Sequence, residues 1–138
     1  MILRATQFHS FVAELIQRLG PDTKKEILVP AGVRLQPIET EEVADRLLEL
    51  TKTEITGLAE DIGGPEVLSL EDMMKDYLAA RRRQAIPRLV EAKTFTDLPW
   101  VAWTSETQLC PEHRCGRITW REYLQQVYGP EVNANAVG

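Results

Sequence analysis

At 138 residues, 43% hydrophobic and 27% charged, the chain has the size and apolar content of one ordinary globular domain, which excludes an intrinsically disordered protein. No run approaches the roughly 20 apolar residues of a membrane-spanning helix, and two cysteines are too few for a disulfide-built secreted scaffold. The net charge of −5 weighs against a dedicated nucleic-acid binder.

The opening Met1-Ile2-Leu3-Arg4 lacks the layout of a signal peptide, so the expected location is the reducing cytoplasm, with no membrane association. The charge is segregated along the chain. Residues 1–38 carry +2, residues 39–72 carry −9, residues 73–93 carry +4 and residues 94–138 carry −2. An acidic block followed directly by a basic one suggests two helices paired across opposite charge, or two surfaces for different partners.

In chain order, Thr6 is placed to cap a first helix from Gln7 to about Leu19. Phe8, Phe11, Val12, Leu15, Ile16 and Leu19 form its apolar stripe, and Gly20-Pro21 closes it. The runs Glu26–Val29 and Val33–Gln36 flank Pro30-Ala31-Gly32 and read as a β-hairpin with short strands. Thr40 starts the longest helical pattern, its stripe running from Val43 to Ile62, with Glu41, Glu42 and Asp45 near the positive end of the dipole. Thr51-Lys52-Thr53 is its weak point, so the segment is one flawed helix or two helices, the second starting at Glu54.

Ser69 caps a further helix whose Leu70, Met73, Met74, Tyr77 and Leu78 face a core, ending before Pro87. Leu89–Ala92 reads as a helical turn, and Leu98–Trp103 as an extended, tryptophan-bearing segment. Thr119 and Glu122 form a capping box for a last helix that Gly129-Pro130 stops near Tyr128. The expected architecture is therefore mainly α, with α+β as the variant. It comprises about four helices, a small N-terminal β-hairpin and a short extended C-terminal segment, in a single globular domain over residues 1–130 with a flexible tail over 131–138.

Three clusters could carry chemistry. Cys110, His113 and Cys115 lie within six residues and offer the thiolate and imidazole ligands that zinc prefers, although a fourth ligand is not evident and a plain surface loop is the simpler reading. Arg81, Arg82, Arg83 and Arg88 could bind an anion or nucleic acid, or simply complement the end of their own helix. The acidic residues Glu41, Glu42, Glu60 and Asp61 could engage a basic protein surface, with Trp100 and Trp103 as interface anchors. Adjacent acids point about 100° apart on a helix, so they do not converge as an acid/base pair.

The glycine-rich phosphate loops, the Gly-x-Ser-x-Gly elbow and the His-Glu-x-x-His pattern are all missing, and no catalytic residue is assigned. The reading that follows is a small non-enzymatic regulator or adaptor, without a cofactor, that binds another protein through an acidic helical surface. One alternative is a nucleic-acid-associated factor, through a helix-turn-helix in Glu41–Ile62 or through the arginine cluster. The other is a zinc-supported interaction module.

Overall fold

The computed structural model describes residues 3–21, 23–52 and 61–137, with side chains as far as Gly129. The chain folds as α1 (His9–Leu19), β1 (Glu26–Pro30), β2 (Arg34–Leu35), α2 (Thr40–Thr51), β3 (Leu68–Ser69), α3 (Leu70–Ala80), β4 (Ile86–Val90), α4 (Trp100–Trp103) and α5 (Trp120–Val137), with a 3-10 turn at Ala92–Thr94 between β4 and α4. No helix among the described residues is long and apolar enough to cross a membrane.

The mainly α architecture is corrected to α/β by the strand pairing. Glu26–Pro30 and Arg34–Leu35 do not form a hairpin with each other. β1 pairs with β4 in parallel, Ile27 opposite Pro87 and Val29 opposite Leu89, whereas β2 pairs antiparallel with β3. Parallel strands need a long crossover, and here it passes through α2 and α3. The turn after β1 redirects the chain at Gly32, whose φ of +80° suits glycine. Residues 86–90 form a strand where a helical turn was expected for Leu89–Ala92, because Arg82 (φ 53°) breaks the chain out of α3 and Pro87 forbids helix before it. Trp100–Trp103 is a helical turn rather than an extended segment.

Amphipathic stripes close the main core. Val12, Leu15 and Ile16 of α1, Ile27 and Val29 of β1, and Met73, Met74, Tyr77 and Leu78 of α3 are all buried in one cluster. Trp100, Trp120 and Leu124 join it, and each fully buried large side chain contributes about 1.5–3 kcal/mol. The Trp120 indole N–H donates to the Met73 carbonyl at 3.1 Å, fastening α5 to α3. A smaller apolar group of Ile38, Val43 and Ile62 lies beside it under α2.

Helix ends follow side-chain chemistry. Ser69 Oγ accepts the Asp72 N–H (3.1 Å), and Thr119 and Glu122 cap each other reciprocally (3.1 and 3.2 Å). Thr6 does not cap α1. Its hydroxyl accepts the Gly64 N–H instead, at 3.1 Å, and Phe8 occupies the cap position. α2 ends at Thr51, where the weak point was expected, and the second helix expected from Glu54 lies outside the described residues. α5 continues past Gly129-Pro130, where a stop was expected. Proline there removes a single intrahelical donor while the turns on either side keep their own.

Candidate functional site

The site is built on an extended segment, residues 4–8, that runs between two others. Thr6 N–H donates to the Ile62 carbonyl (3.1 Å) and Ile62 N–H to the Arg4 carbonyl (2.9 Å). On the other side, His9 N–H donates to the Ile38 carbonyl (3.0 Å) and Ile38 N–H to the Gln7 carbonyl (2.8 Å). Both contacts are parallel bridges. The segment is thus hydrogen-bonded on both sides, as a central strand is, although each contact is a single bridge.

Three glutamines tie this segment to the chain that follows α4. Gln7 accepts the Gln36 backbone N–H at 3.1 Å and donates to the Gln108 carbonyl at 3.0 Å. Gln36 is fully buried. Its amide nitrogen donates to the carbonyls of Gly64 (3.0 Å) and Cys110 (3.1 Å), and its oxygen accepts the Cys110 N–H (2.9 Å). Gln108 donates to the carbonyls of Arg34 (3.0 Å) and Trp103 (2.7 Å). A two-pronged ion pair from Arg34 to Glu106, at 2.6 and 2.8 Å, fixes the same loop from outside. That contact holds the Glu106 carboxyl below the usual carboxylate range.

Between the two walls lies a cleft of about 230 Å³ lined by Arg4, Thr6, Gln7, Asp61, Thr107, Gln108 and Cys110. Arg4 and Asp61 pair across its rim at 3.0 Å. The lining offers hydroxyls, amides and one ion pair, so it suits a ligand rich in hydrogen-bonding groups. Burial pushes the Cys110 thiol upward from its ordinary pKa, so it is protonated near neutral pH and is no nucleophile. A larger cleft of about 520 Å³ adjoins it across Asp61, walled by Glu42, Asp45, Glu49, Arg46 and Arg117.

His9 follows the segment as the first residue of α1. It is 1% exposed, stacked on Tyr123 (5.1 Å, 15°) and Trp120 (5.9 Å, 28°), and its Nε2 lies 2.9 Å from the Ile118 carbonyl. A carbonyl can only accept, so Nε2 carries the proton and Nδ1, which has no partner, is bare. Burial lowers the pKa of this imidazole.

The residues singled out from sequence fall in different places. Glu42 is a clamp, accepting the backbone N–H groups of Arg117 (2.7 Å) and Ile118 (3.1 Å), and Glu41 is exposed beside it. Asp61 lines both clefts, while Glu60 lies outside the described residues. Trp100 is fully buried with its N–H on Asp97 (3.0 Å), and Trp103 packs edge-on against Phe11. These two tryptophans serve the core and its border.

The arginines do not share one face. Arg81 lies over the Tyr128 and Tyr77 rings, Arg83 donates to the carbonyls of Gly20, Pro21 and Lys24, and Arg88 pairs with Glu26. Cys110 is buried and Cys115 exposed, with the Cys115 thiol turned to the His113 carbonyl. Among the described residues no group of three or more His, Cys, Asp or Glu is gathered to hold a metal ion, so the zinc set of Cys110, His113 and Cys115 is not assembled.

No family model and no curated protein matches the chain. Among solved structures, the fold is similar to a dTDP-4-dehydrorhamnose reductase from Clostridium acetobutylicum, with 15% identity and a TM-score of 0.61 over 96% of this chain and 48% of that one. A dTDP-4-dehydrorhamnose reductase from Bacillus anthracis, solved with NADP, gives 15% identity and 0.55 over 94% and 45%. RMD from Pseudomonas aeruginosa, complexed with NADPH, gives 9% and 0.50 over 91% and 45%. These likenesses overturn the reading as a non-enzymatic regulator or adaptor, together with its nucleic-acid and zinc alternatives, since the proteins of known structure that share the fold include reductases. The chain spans about half the length of each of these structures, and what it shares with them is an α/β fold across nearly all of its own residues.

Proposed function

We propose that this chain is the substrate-side half of a reductase that uses a nicotinamide dinucleotide, and that the polar cleft between residues 4–7 and 107–110 receives a hydroxyl-rich carbonyl compound. The observation that carries this reading is the likeness itself, which takes in 96% of the chain but only 48% of a reductase.

The dinucleotide phosphates need a strand, a glycine-rich turn and a helix N-terminus in succession. The described residues do not fit that requirement. β1 leads through Gly32 into a second strand, not a helix. α1 and α3 are entered through Gln7-Phe8 and Ser69, without glycine, and α2 carries the Glu39 carboxylate at its cap, where it would repel phosphate. On this reading the nucleotide half lies outside the described residues, in the same polypeptide or in another.

The test is energy transfer from tryptophan to NADPH, measured on the isolated 138-residue chain and on the native-length assembly purified from its source. The expected result is saturable transfer in the assembly and none in the isolated chain. Binding of NADPH by the isolated chain, or its absence in the assembly, overturns the reading.

A further inference from the structure

Residues 117–119 cross the surface between two buried anchors. At one end Gly116 N–H donates to the Gly63 carbonyl at 2.9 Å, and at the other the Trp120 indole N–H donates to the Met73 carbonyl at 3.1 Å. Gly116 and Trp120 are buried, whereas Arg117 is exposed and Ile118 and Thr119 are half-buried. The Ile118 peptide is gripped from both sides. Its N–H donates to one Glu42 carboxylate oxygen at 3.1 Å, while its carbonyl accepts from His9 Nε2 at 2.9 Å. The other Glu42 oxygen takes the Arg117 N–H at 2.7 Å.

The His9 side of this grip suits only the neutral imidazole. An imidazolium has two N–H groups to place, and among the described residues Nδ1 has no hydrogen-bond partner. Trp120 and Tyr123 of α5 cover the ring with uncharged aromatic surface. Glu39, at the cap of α2, and Glu42 are the charges that act on the imidazole, and both favour its protonated form. Burial outweighs them and lowers the pKa. Arg117, the charge on the crossing itself, lines the 520 Å³ cleft. A protonated His9 therefore gains by hydration. Residues 117–119 contribute no side chain to either apolar cluster, so they are the part of its cover that can give way.

We infer that residues 117–119 are an acid-sensitive strap. Proton uptake by His9 lifts them from α1 and α2, water reaches the imidazole, and the Glu42 carboxylate is released into the 520 Å³ cleft that Arg117 and Ile118 help to wall. The anchors at Gly116 and Trp120 keep the rest of the fold in place. Under the lifted strap His9 has the ordinary imidazole value of about 6.5. The lifted form thus binds the proton more readily than the closed one and gains as pH falls.

Amide exchange followed by NMR tests it. After correction for the intrinsic pH dependence of exchange, the Arg117 and Ile118 amides should exchange about tenfold faster at about pH 5.5 than at about pH 7.5. Low urea should leave that rate unchanged, because lifting the strap exposes little surface. The α3 amides and the Trp120 indole N–H should stay the more protected at both pH values. The acid response should vanish in His9→Gln, whose side chain can still donate to the Ile118 carbonyl. It should persist in Glu42→Gln, which keeps an acceptor for the strap and removes the carboxylate's own titration.

A corrected rate that does not change with pH overturns the inference. So does one that rises with urea as steeply as that of the α3 amides, since the opening is then global unfolding. An acid response kept in His9→Gln or lost in Glu42→Gln assigns the proton to the carboxylate and overturns the role of His9. The wild-type urea series and Glu42→Gln decide between these outcomes even where His9→Gln does not fold.

Discussion

Gln36→Leu is the substitution that most directly tests how the cleft is held together. The side chain is fully buried and makes three hydrogen bonds, two donated to the carbonyls of Gly64 and Cys110 and one accepted from the Cys110 N–H. Leucine fills nearly the same volume, so packing changes little, but three backbone groups lose their partners. A buried polar group left unsatisfied costs about 1–3 kcal/mol, and allowing for some relaxation the sum is about 3–5 kcal/mol. Against a total stability of about 5–15 kcal/mol, that loss is large.

Urea unfolding followed by tryptophan fluorescence should show the midpoint falling by about 2 M with the slope unchanged. Gln36→Glu separates hydrogen bonding from packing. It keeps an acceptor for Cys110 N–H but sets a carboxylate against two carbonyls, so it should be worse than leucine at pH 7. Because burial raises the pKa of that carboxyl in the folded state, the variant should recover relative to wild type as pH falls and the acid becomes a donor. A Gln36→Leu protein within about 1 kcal/mol of wild type would refute the account, since that is the net worth of one ordinary hydrogen bond.

Three further outcomes follow from the same geometry. Gly64→Ala places a Cβ against the Pro37 carbonyl, which is backbone and cannot swing away, so urea unfolding should show a loss of more than about 2 kcal/mol. Burial holds the folded pKa of His9 below the ordinary imidazole value of about 6.5, so the unfolded state binds more protons. Stability should therefore fall as pH drops below about 6.5 and level off beneath the folded pKa. Calorimetry of His9→Gln should show this slope reduced. A thiol reagent at pH 8 should modify exposed Cys115 promptly and buried Cys110 at least about a hundredfold more slowly. Equal rates would show that the Gln36 network does not close the loop.

The legible parts of the fold were those whose signals are local. The stripes of α1 and α3, the Gly20-Pro21 stop, the Ser69 cap and the Thr119–Glu122 box each lie within a few residues and act there. Strand pairing is not local. Nothing near Glu26 reveals that its partner is Ile86, and Pro30-Ala31-Gly32 resembles a hairpin turn well enough to suggest the wrong neighbour. The site was hidden for a different reason. Gln7, Gln36 and Gln108 carry no charge and no motif, and their work is to satisfy backbone groups that come together only in the fold. Gln36 itself gave no hint, since it stands at a polar position of the alternating run Val33-Arg34-Leu35-Gln36, where a half-buried strand would turn it to solvent.

The charge segregation along the chain takes on a different meaning in three dimensions. Asp61 of the acidic stretch meets Arg4, and Glu42 accepts two backbone donors at 117–118. From the basic stretch, Arg88 meets Glu26, while Asp76 within that stretch meets Arg121. Charges grouped by sequence are thus dispersed among distant segments. Exposed pairs of this kind each contribute about 0–1 kcal/mol, so their weight in the fold is small beside the buried glutamine network. Glu42 differs from them because its carboxylate takes two main-chain donors, and it thereby sets the chain's approach to α5 and to the stack of Trp120 and Tyr123 on His9. Of the four acidic residues offered as partner contacts, Glu42 thus has its carboxylate committed to the chain's own backbone.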